Sequence, residues 1–333
     1  MKVQRKNLSA YTTKKDGGRV IRLDEEHKCP FLSENRLCRL VSAYGDSVLS
    51  ETCTVFPREV HRFETHEEEV LMPCCPAVID LWAEEENVVF PEVPENGRNL
   101  RTMIREKMME MFRNKEQSIE ETLLESFYIL LELYQAEQED TLSEERIENY
   151  FSREAVKELK TAILAINLPF LDTMDECNEL LQDLAVNYLE EGLYEEYLEP
   201  LITQAEQLSE MAEDLLLSKW DAFCLQLEAF YPLLRSFLAN EMYSDLLAPD
   251  DTSTEHMLVR LQWTAIQYAA IRQALFLTYL SKDKGILSYE SVRQALVILT
   301  RMTGYEEEDI YEYLENSFES LLWDFGYLAF IMG

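Results

Sequence analysis

The sequence predicts a mainly α protein. A small, irregular, cysteine-rich N-terminal domain with a few short strands (1–98) precedes an all-helical domain (99–333). Three observations carry this prediction. Only nine glycines and ten prolines occur in 333 residues, few turn formers for a chain of this length. Five of the seven cysteines, Cys29, Cys38, Cys53, Cys74 and Cys75, fall between Cys29 and Pro76, where prolines and polar turns keep breaking the apolar pattern. From Asn99 onward, apolar residues recur at helical spacing. A chain of this length buries a real core as one large or two medium domains.

Residues 1–18 read as a loose arm ending in the Gly17-Gly18 turn, and Arg19–Leu23 as a short strand. Pro30 disfavours helix at Cys29, so an extended segment or turn presents that thiol. Ser33–Arg36 is a polar turn, Tyr44-Gly45-Asp46 a second break, and Val70–Met72 a strand. Pro76 suits a helix N-terminus, and 77–82 reads as a short helix. The run AEEENVVFPEVPENGR (83–98) reads as a linker. Beyond it the periodicity predicts helices at 99–114, 117–137, 143–166, 172–190, 193–218, 220–240, 254–281, 288–303 and 306–331, with Pro232 kinking or splitting the sixth. Phe127, Trp220, Phe223, Trp263, Tyr268 and Trp323 among the aromatics fit a bundle core. No fixed-period repeat is evident.

The formal net charge is −34. It argues against a nucleic-acid partner, since phosphate contacts need a basic face. The acidity serves solubility or attracts a basic, lysine-rich partner. Residues 1–22 carry about +6 and the rest about −40. No apolar run reaches the roughly 18 residues of a membrane span, and the N-terminal run has no apolar core of a secretory signal. A cytoplasmic, reducing location is therefore expected, with thiols free to bind metal.

Thiolates in that setting bind zinc or the iron of iron–sulfur clusters. The spacing C-x8-C-x14-C-x20-C-C is neither the close C-x2-C pairing of zinc knuckles nor the tight run of bacterial ferredoxins. Spacing alone leaves open a metal or cluster, a set of buried reduced cysteines, and a redox pair at Cys74-Cys75, whose vicinal disulfide would be strained. His27, two residues before Cys29, is a further ligand candidate. Arg39 and Arg58 are candidates to offset the charge of a thiolate-held cluster or to bind a carboxylate, or form surface ion pairs.

The flanking residues add a resemblance. Cys29-Pro30-Phe31-Leu32, Leu37-Cys38, Gly45, Leu49-Ser50, Thr52-Cys53, Phe56-Pro57-Arg58 and Cys75-Pro76 occur in an order that resembles the flagellin lysine N-methylase family. The resemblance covers roughly residues 20–82. It implies a cysteine-ligated iron–sulfur cluster (4Fe-4S), S-adenosylmethionine as methyl donor, and lysines of flagellin as the protein substrate. By position it implies Cys29, Cys38, Cys53 and Cys75 as ligands and gives Cys74 no counterpart. It departs in one respect: the additional cysteine-rich segment that precedes the CPFL motif in family members has no match in the 28 residues before Cys29. The competing reading is a non-catalytic helical adaptor whose cysteine module holds zinc or no metal. No Gly-x-Gly loop suggests the doubly wound methyltransferase fold, and the C-x3-C-x2-C run of radical S-adenosylmethionine enzymes is absent. Methyl transfer to lysine needs a base or a desolvated pocket, because an ammonium is not a nucleophile. Tyr44 or an acid near the cluster is a candidate, and the sequence names none.

Overall fold

The computed structural model describes residues 8–15, 18–24, 28–35, 37–85, 88–166, 168–208, 210–281, 285–304, 307–318, 322 and 325–333. Gly17, His27, Trp323 and the first seven residues of the arm lie outside them. The chain divides into two compact units, Met1–Phe56 and Pro57–Gly333.

The first unit is irregular, as its broken apolar pattern predicts. A single 3-10 turn, Leu8–Tyr11, leads into the antiparallel pair β1 (Thr12–Lys15) and β2 (Gly18–Ile21), with Thr12 opposite Ile21 and Lys15 opposite Gly18. The predicted strand is thus β2, one residue earlier than expected, and its partner lies in what reads from sequence as a loose arm. The CPFL segment folds back on itself. Leu32 bridges Cys38, Arg39 N–H donates to the Phe31 carbonyl at 2.8 Å, and Phe31 packs on Tyr11 at 5.0 Å. Two short helices follow, α1 (Arg39–Tyr44) and α2 (Glu51–Val55). Gly45, at φ 80°, ends α1 in a conformation that a side chain disfavours. Ser50 caps α2 by accepting from the Cys53 N–H.

The second unit begins with the hairpin β3 (Arg58–Arg62) and β4 (Glu67–Leu71), with Arg58 opposite Leu71 and Arg62 opposite Glu67. Helix α3 (Pro76–Glu84) takes Pro76 into its first turn. The helical body then runs α4 (Leu100–Arg113), α5 (Ile119–Gln138), α6 (Glu144–Tyr150), α7 (Arg153–Leu164), α8 (Phe170–Glu190), α9 (Glu195–Leu208), α10 (Glu213–Leu227), α11 (Tyr231–Asp245), α12 (Thr254–Ser281), α13 (Tyr289–Met302), α14 (Glu307–Phe318) and α15 (Phe325–Met332). The architecture is mainly α with small sheets near the N-terminus, the class that the sequence predicts.

Several predicted helices are pairs. Ser152 caps a fresh start and divides 143–166 into α6 and α7. The expected 193–218 and 220–240 become α9, α10 and α11, with Pro232 in the first turn of α11. Proline is tolerated there because that turn's N–H has no intrahelical partner. The expected 306–331 divides into α14 and α15. Helix α12 is buried along nearly its whole length, the pattern of a central helix. It packs against α5, α8, α9, α11 and α13.

The division after Phe56 differs from the expected boundary near residue 98, and the reason is packing. Val78, Ile79 and Trp82 bury α3 against α11 and α13. The segment read as a linker places Val93 in the core and stacks Phe90 on Tyr243 at 4.7 Å. Hairpin and helices share one core. Among the described residues, no helix is long and apolar enough to cross a membrane.

Candidate functional site

The cysteine motifs occupy turns and helix starts, as their flanking prolines require. In the first unit, Cys29 opens a turn closed by the Leu32 N–H on its carbonyl at 2.9 Å. Cys38 stands at the N-cap of α1, and the Leu32–Cys38 bridge brings the Cys29 turn and Cys38 into one knot. Cys29 and Cys38 are half-buried, and Cys53, in α2, is exposed. These three sulfurs are not within 4.8 Å of one another as a set. That spacing would suit a single ion, whereas a multi-iron cluster holds its thiolates farther apart. In the second unit, Cys74 is half-buried and Cys75, the N-cap of α3, is buried. All seven cysteines are free thiols, so the soft donors that zinc or a cluster requires are chemically available. Arg39 is exposed and donates to the Pro30 carbonyl, which holds the CPFL turn; Arg58 is exposed at the start of β3. Burial pushes the thiols of Cys74 and Cys177 up, and that of Cys224 to about 11.

The second unit also contains a cleft of about 590 Å³, within the usual size of small-molecule sites. The β3–β4 hairpin and its continuation to Cys74 form one wall; α11, α12 and the end of α13 form the others. Val70, Leu71, Met72, Leu247 and Trp263 supply apolar surface, and Glu59, Glu241, Asp245 and Glu307 supply carboxyls.

Most of these carboxyls face a basic side chain. Asp245 pairs with Arg260. Glu307 faces His256 Nδ1 at 3.1 Å, whose Nε2 faces the Asp245 carbonyl at 3.0 Å. Asp251, His256 and Glu307 form the one set of three potential metal-ligand side chains that lies within 4.8 Å among the described residues; both ring nitrogens of its imidazole already face oxygen atoms of the protein. Glu59 lies 3.5 Å from His61 Nε2, and that contact raises the His61 pKa despite burial.

Glu241 differs. It is 7% exposed, and its described hydrogen-bond partner is the neutral Asn240 amide at 3.2 Å. Burial, reinforced by the Asp245 charge, pushes its carboxyl up to about 8. Asn240 also donates to the Leu71 carbonyl at 3.0 Å, which fastens β4 to α11. Across the cleft, Gln267 donates to Thr303 Oγ1 at 3.0 Å, while its own carbonyl oxygen is buried without a partner.

Two buried or bidentate ion pairs set the hairpin wall. Arg105 of α4 reaches Glu68 of β4 through two bonds, 2.7 and 2.5 Å, donates to the Tyr243 carbonyl at 2.9 Å and lies over the Tyr243 ring. Asp80 of α3 accepts from Arg293 at 2.6 and 2.8 Å and from Tyr289 at 2.7 Å.

Sequence reading missed the cleft. A signal was present: Leu234, Leu238, Glu241 and Asp245 share one helical face, so two acids continue an apolar stripe. An acid on a core-facing stripe is unusual enough to mark a site.

Comparison with known proteins bears on this framework. Residues 105–331 match the model of the "FliB lysine N-methylase C-terminal domain". The "Flagellar biosynthetic protein FliU" of Salmonella muenchen is 42% identical over 50 residues, 15% of this chain and 30% of that protein. The "Lysine-N-methylase" of Salmonella typhimurium, and that of Salmonella choleraesuis, are each 42% identical over 50 residues, again 15% of this chain and 12% of theirs. The matched stretch thus spans a minor part of these relatives. No solved structure matches the chain.

Proposed function

The chain belongs to the FliB lysine N-methylase family, and from that premise we propose that it transfers methyl groups from S-adenosylmethionine to lysine side chains of flagellin in the cytoplasm. The family match over most of the helical body carries this reading. The cleft supports it chemically: apolar lining suits the four-carbon stem of a lysine, and the carboxyls among the lining residues suit the ammonium.

An iron–sulfur cluster held by Cys29, Cys38, Cys53 and Cys75 completes the proposal. The donor set fits, since all four are free thiols on turns or helix starts. When bound, such a cluster would supply a thiolate-held iron centre. Arg39 and Arg58 are proposed to balance its charge, or to hold the carboxylate of the methyl donor.

Mass spectrometry of flagellin lysines, after incubation with anaerobically reconstituted protein and S-adenosylmethionine, tests the activity. Methylation that requires both the protein and the donor is expected; unmodified flagellin overturns it. The visible spectrum tests the cluster. Brown protein whose absorbance fades on oxidation is expected, and colourless protein with stoichiometric zinc refutes the cluster.

A further inference from the structure

The geometry points to Glu241 as the group that accepts the proton of the substrate lysine, with the cleft between the β3–β4 hairpin and helices α11–α13 as the pocket for that side chain. This assignment rests on the lysine-methylase reading above and adds to it the site and the base.

The carboxyls that line the cleft differ in their partners. Asp245 is held by Arg260 and Glu307 by His256, while Glu59 is exposed and faces His61. A carboxylate already paired with a cation gains little from a second one. Glu241 has a neutral amide partner and lines the same cleft as Val70, Leu71 and Met72, which supply apolar surface. The other charged or titratable groups that line the cleft are Cys74, beyond β4, and Arg301, at the end of α13. Cys74 is kept neutral by burial, and Arg301 is exposed. Arg260, whose charge also reaches Glu241, is bound to Asp245, so an arriving ammonium fills the direct cation contact that the described partners of Glu241 do not supply.

The chemistry then balances as follows. The Glu241 carboxylate takes one proton from the lysine ammonium, and the nitrogen regains its lone pair. That pair forms the N–C bond to the methyl carbon of the sulfonium donor as the C–S bond breaks and its electrons return to sulfur. The products are the methylammonium, which carries the positive charge, and the neutral thioether. The proton on Glu241 leaves to solvent. In so buried a site a neutral acid beside a neutral amine avoids the desolvation cost of two charges, so burial favours the nucleophilic form of the lysine.

The same placement makes a binding prediction that needs no turnover. Burial and the Asp245 charge bias the free Glu241 carboxyl toward its protonated form. Once an alkylammonium is bound, carboxylate with ammonium and acid with amine both hold one proton fewer than the separate partners. Titration calorimetry of the full chain with n-butylammonium, in buffers of different ionisation enthalpy, should show close to one proton released per ligand at pH 7. Affinity should tighten about tenfold per pH unit up to about 8, where Glu241 titrates. Glu241→Gln should weaken binding at least tenfold and abolish the release, with circular dichroism reporting the fold. Glu241→Asp should keep the release at lower affinity. Binding without proton release, release that persists in Glu241→Gln, or no binding at all overturns the assignment, as does release caused by S-adenosylmethionine alone and not by butylammonium.

Flagellin methylation separates the two readings. With butylammonium behaving as expected, absence of methylation removes the methylase reading and leaves the ammonium pocket standing. Methylation by Glu241→Gln at the wild-type kcat removes Glu241 as proton acceptor and leaves the methylase reading standing. The expected loss in kcat at neutral pH is about 10²- to 10⁴-fold, the usual contribution of a positioned base, and it should shrink as pH approaches the lysine range.

Discussion

Glu68→Gln is expected to destabilise the helical body by about 3 kcal/mol, the lower end of the roughly 3–5 kcal/mol lost when one partner of a buried ion pair is removed. Arg105 is 1% and Glu68 4% exposed, so solvent screens the pair little. The lower end applies because glutamine keeps the shape and one acceptor. Arg105 also retains the Tyr243 carbonyl at 2.9 Å and the Tyr243 ring at 4.5 Å. At roughly 2 °C per kcal/mol for a chain of this size, Tm should fall by about 6 °C. Urea titration followed by far-ultraviolet circular dichroism reads the loss directly. The sign of its pH dependence also follows. Burial alone would raise the Glu68 pKa, but the bonds and charge of Arg105 outweigh it and hold the carboxyl below the usual range. Stability from a depressed carboxyl is fully present above its unfolded pKa, about 4.3, and is lost as pH falls through the folded value. The gap between wild type and Glu68→Gln should therefore be constant near neutrality and close below about pH 4. Arg105→Met combined with Glu68→Gln should recover part of the loss, since two apolar-compatible groups leave no lone buried charge. A single-variant loss under about 1 kcal/mol, or strict additivity in the double variant, would refute the reasoning.

Cys53→Ala should lose bound metal and increase protease sensitivity of residues 20–82, whereas Cys177→Ala and Cys224→Ala should keep wild-type metal content by elemental analysis. Metal retained in Cys53→Ala refutes its assignment as a ligand. Asp80→Asn should cost about 0.5–1 kcal/mol, discounted because the pair is partly exposed. Arg293, and then Tyr289, hold the Asp80 carboxyl low, so this contribution should vanish as pH falls through the folded value; equal Tm for variant and wild type at pH 7 would remove it. Phe237→Ala, at a fully buried position of α11, should cost about 3–5 kcal/mol by chemical denaturation; a loss under about 1 kcal/mol would mean that the site collapses freely.

The helical body was legible because its signals are local. Asn99, Ser118, Ser143 and Ser288 each accept from N–H groups of the turn they precede, and the apolar spacing between such caps sets each helix. Boundaries failed where a cap interrupts an otherwise continuous stripe, as at Ser152. The pair β1–β2 was half legible: Arg19–Leu23 carries a strand-like apolar alternation, but Thr12–Lys15 is polar throughout and gains its conformation from its partner. The cleft was illegible for a different reason. His61, Glu241 and the pair Arg260 and Gln267 come from separate elements, and only the meeting of β3, α11 and α12 brings them to one cleft. The cysteine motifs were readable as motifs. Their order and flanking prolines carry a family resemblance that periodicity cannot, and the family match falls on the helical remainder.

The vicinal cysteines show how the hairpin ties chemistry to packing. Between the Asn240 bond to the Leu71 carbonyl and the cap of α3 at Cys75 lie only Met72, Pro73 and Cys74. The first end is fixed by β4, which Glu68 anchors to α4; the second by α3, which Asp80 anchors to α13. These three residues line the cleft, with the Cys74 thiol held neutral by burial. The segment between the two anchors thus gives the cleft Met72, Pro73 and Cys74 as wall, while the next residue, Cys75, caps α3.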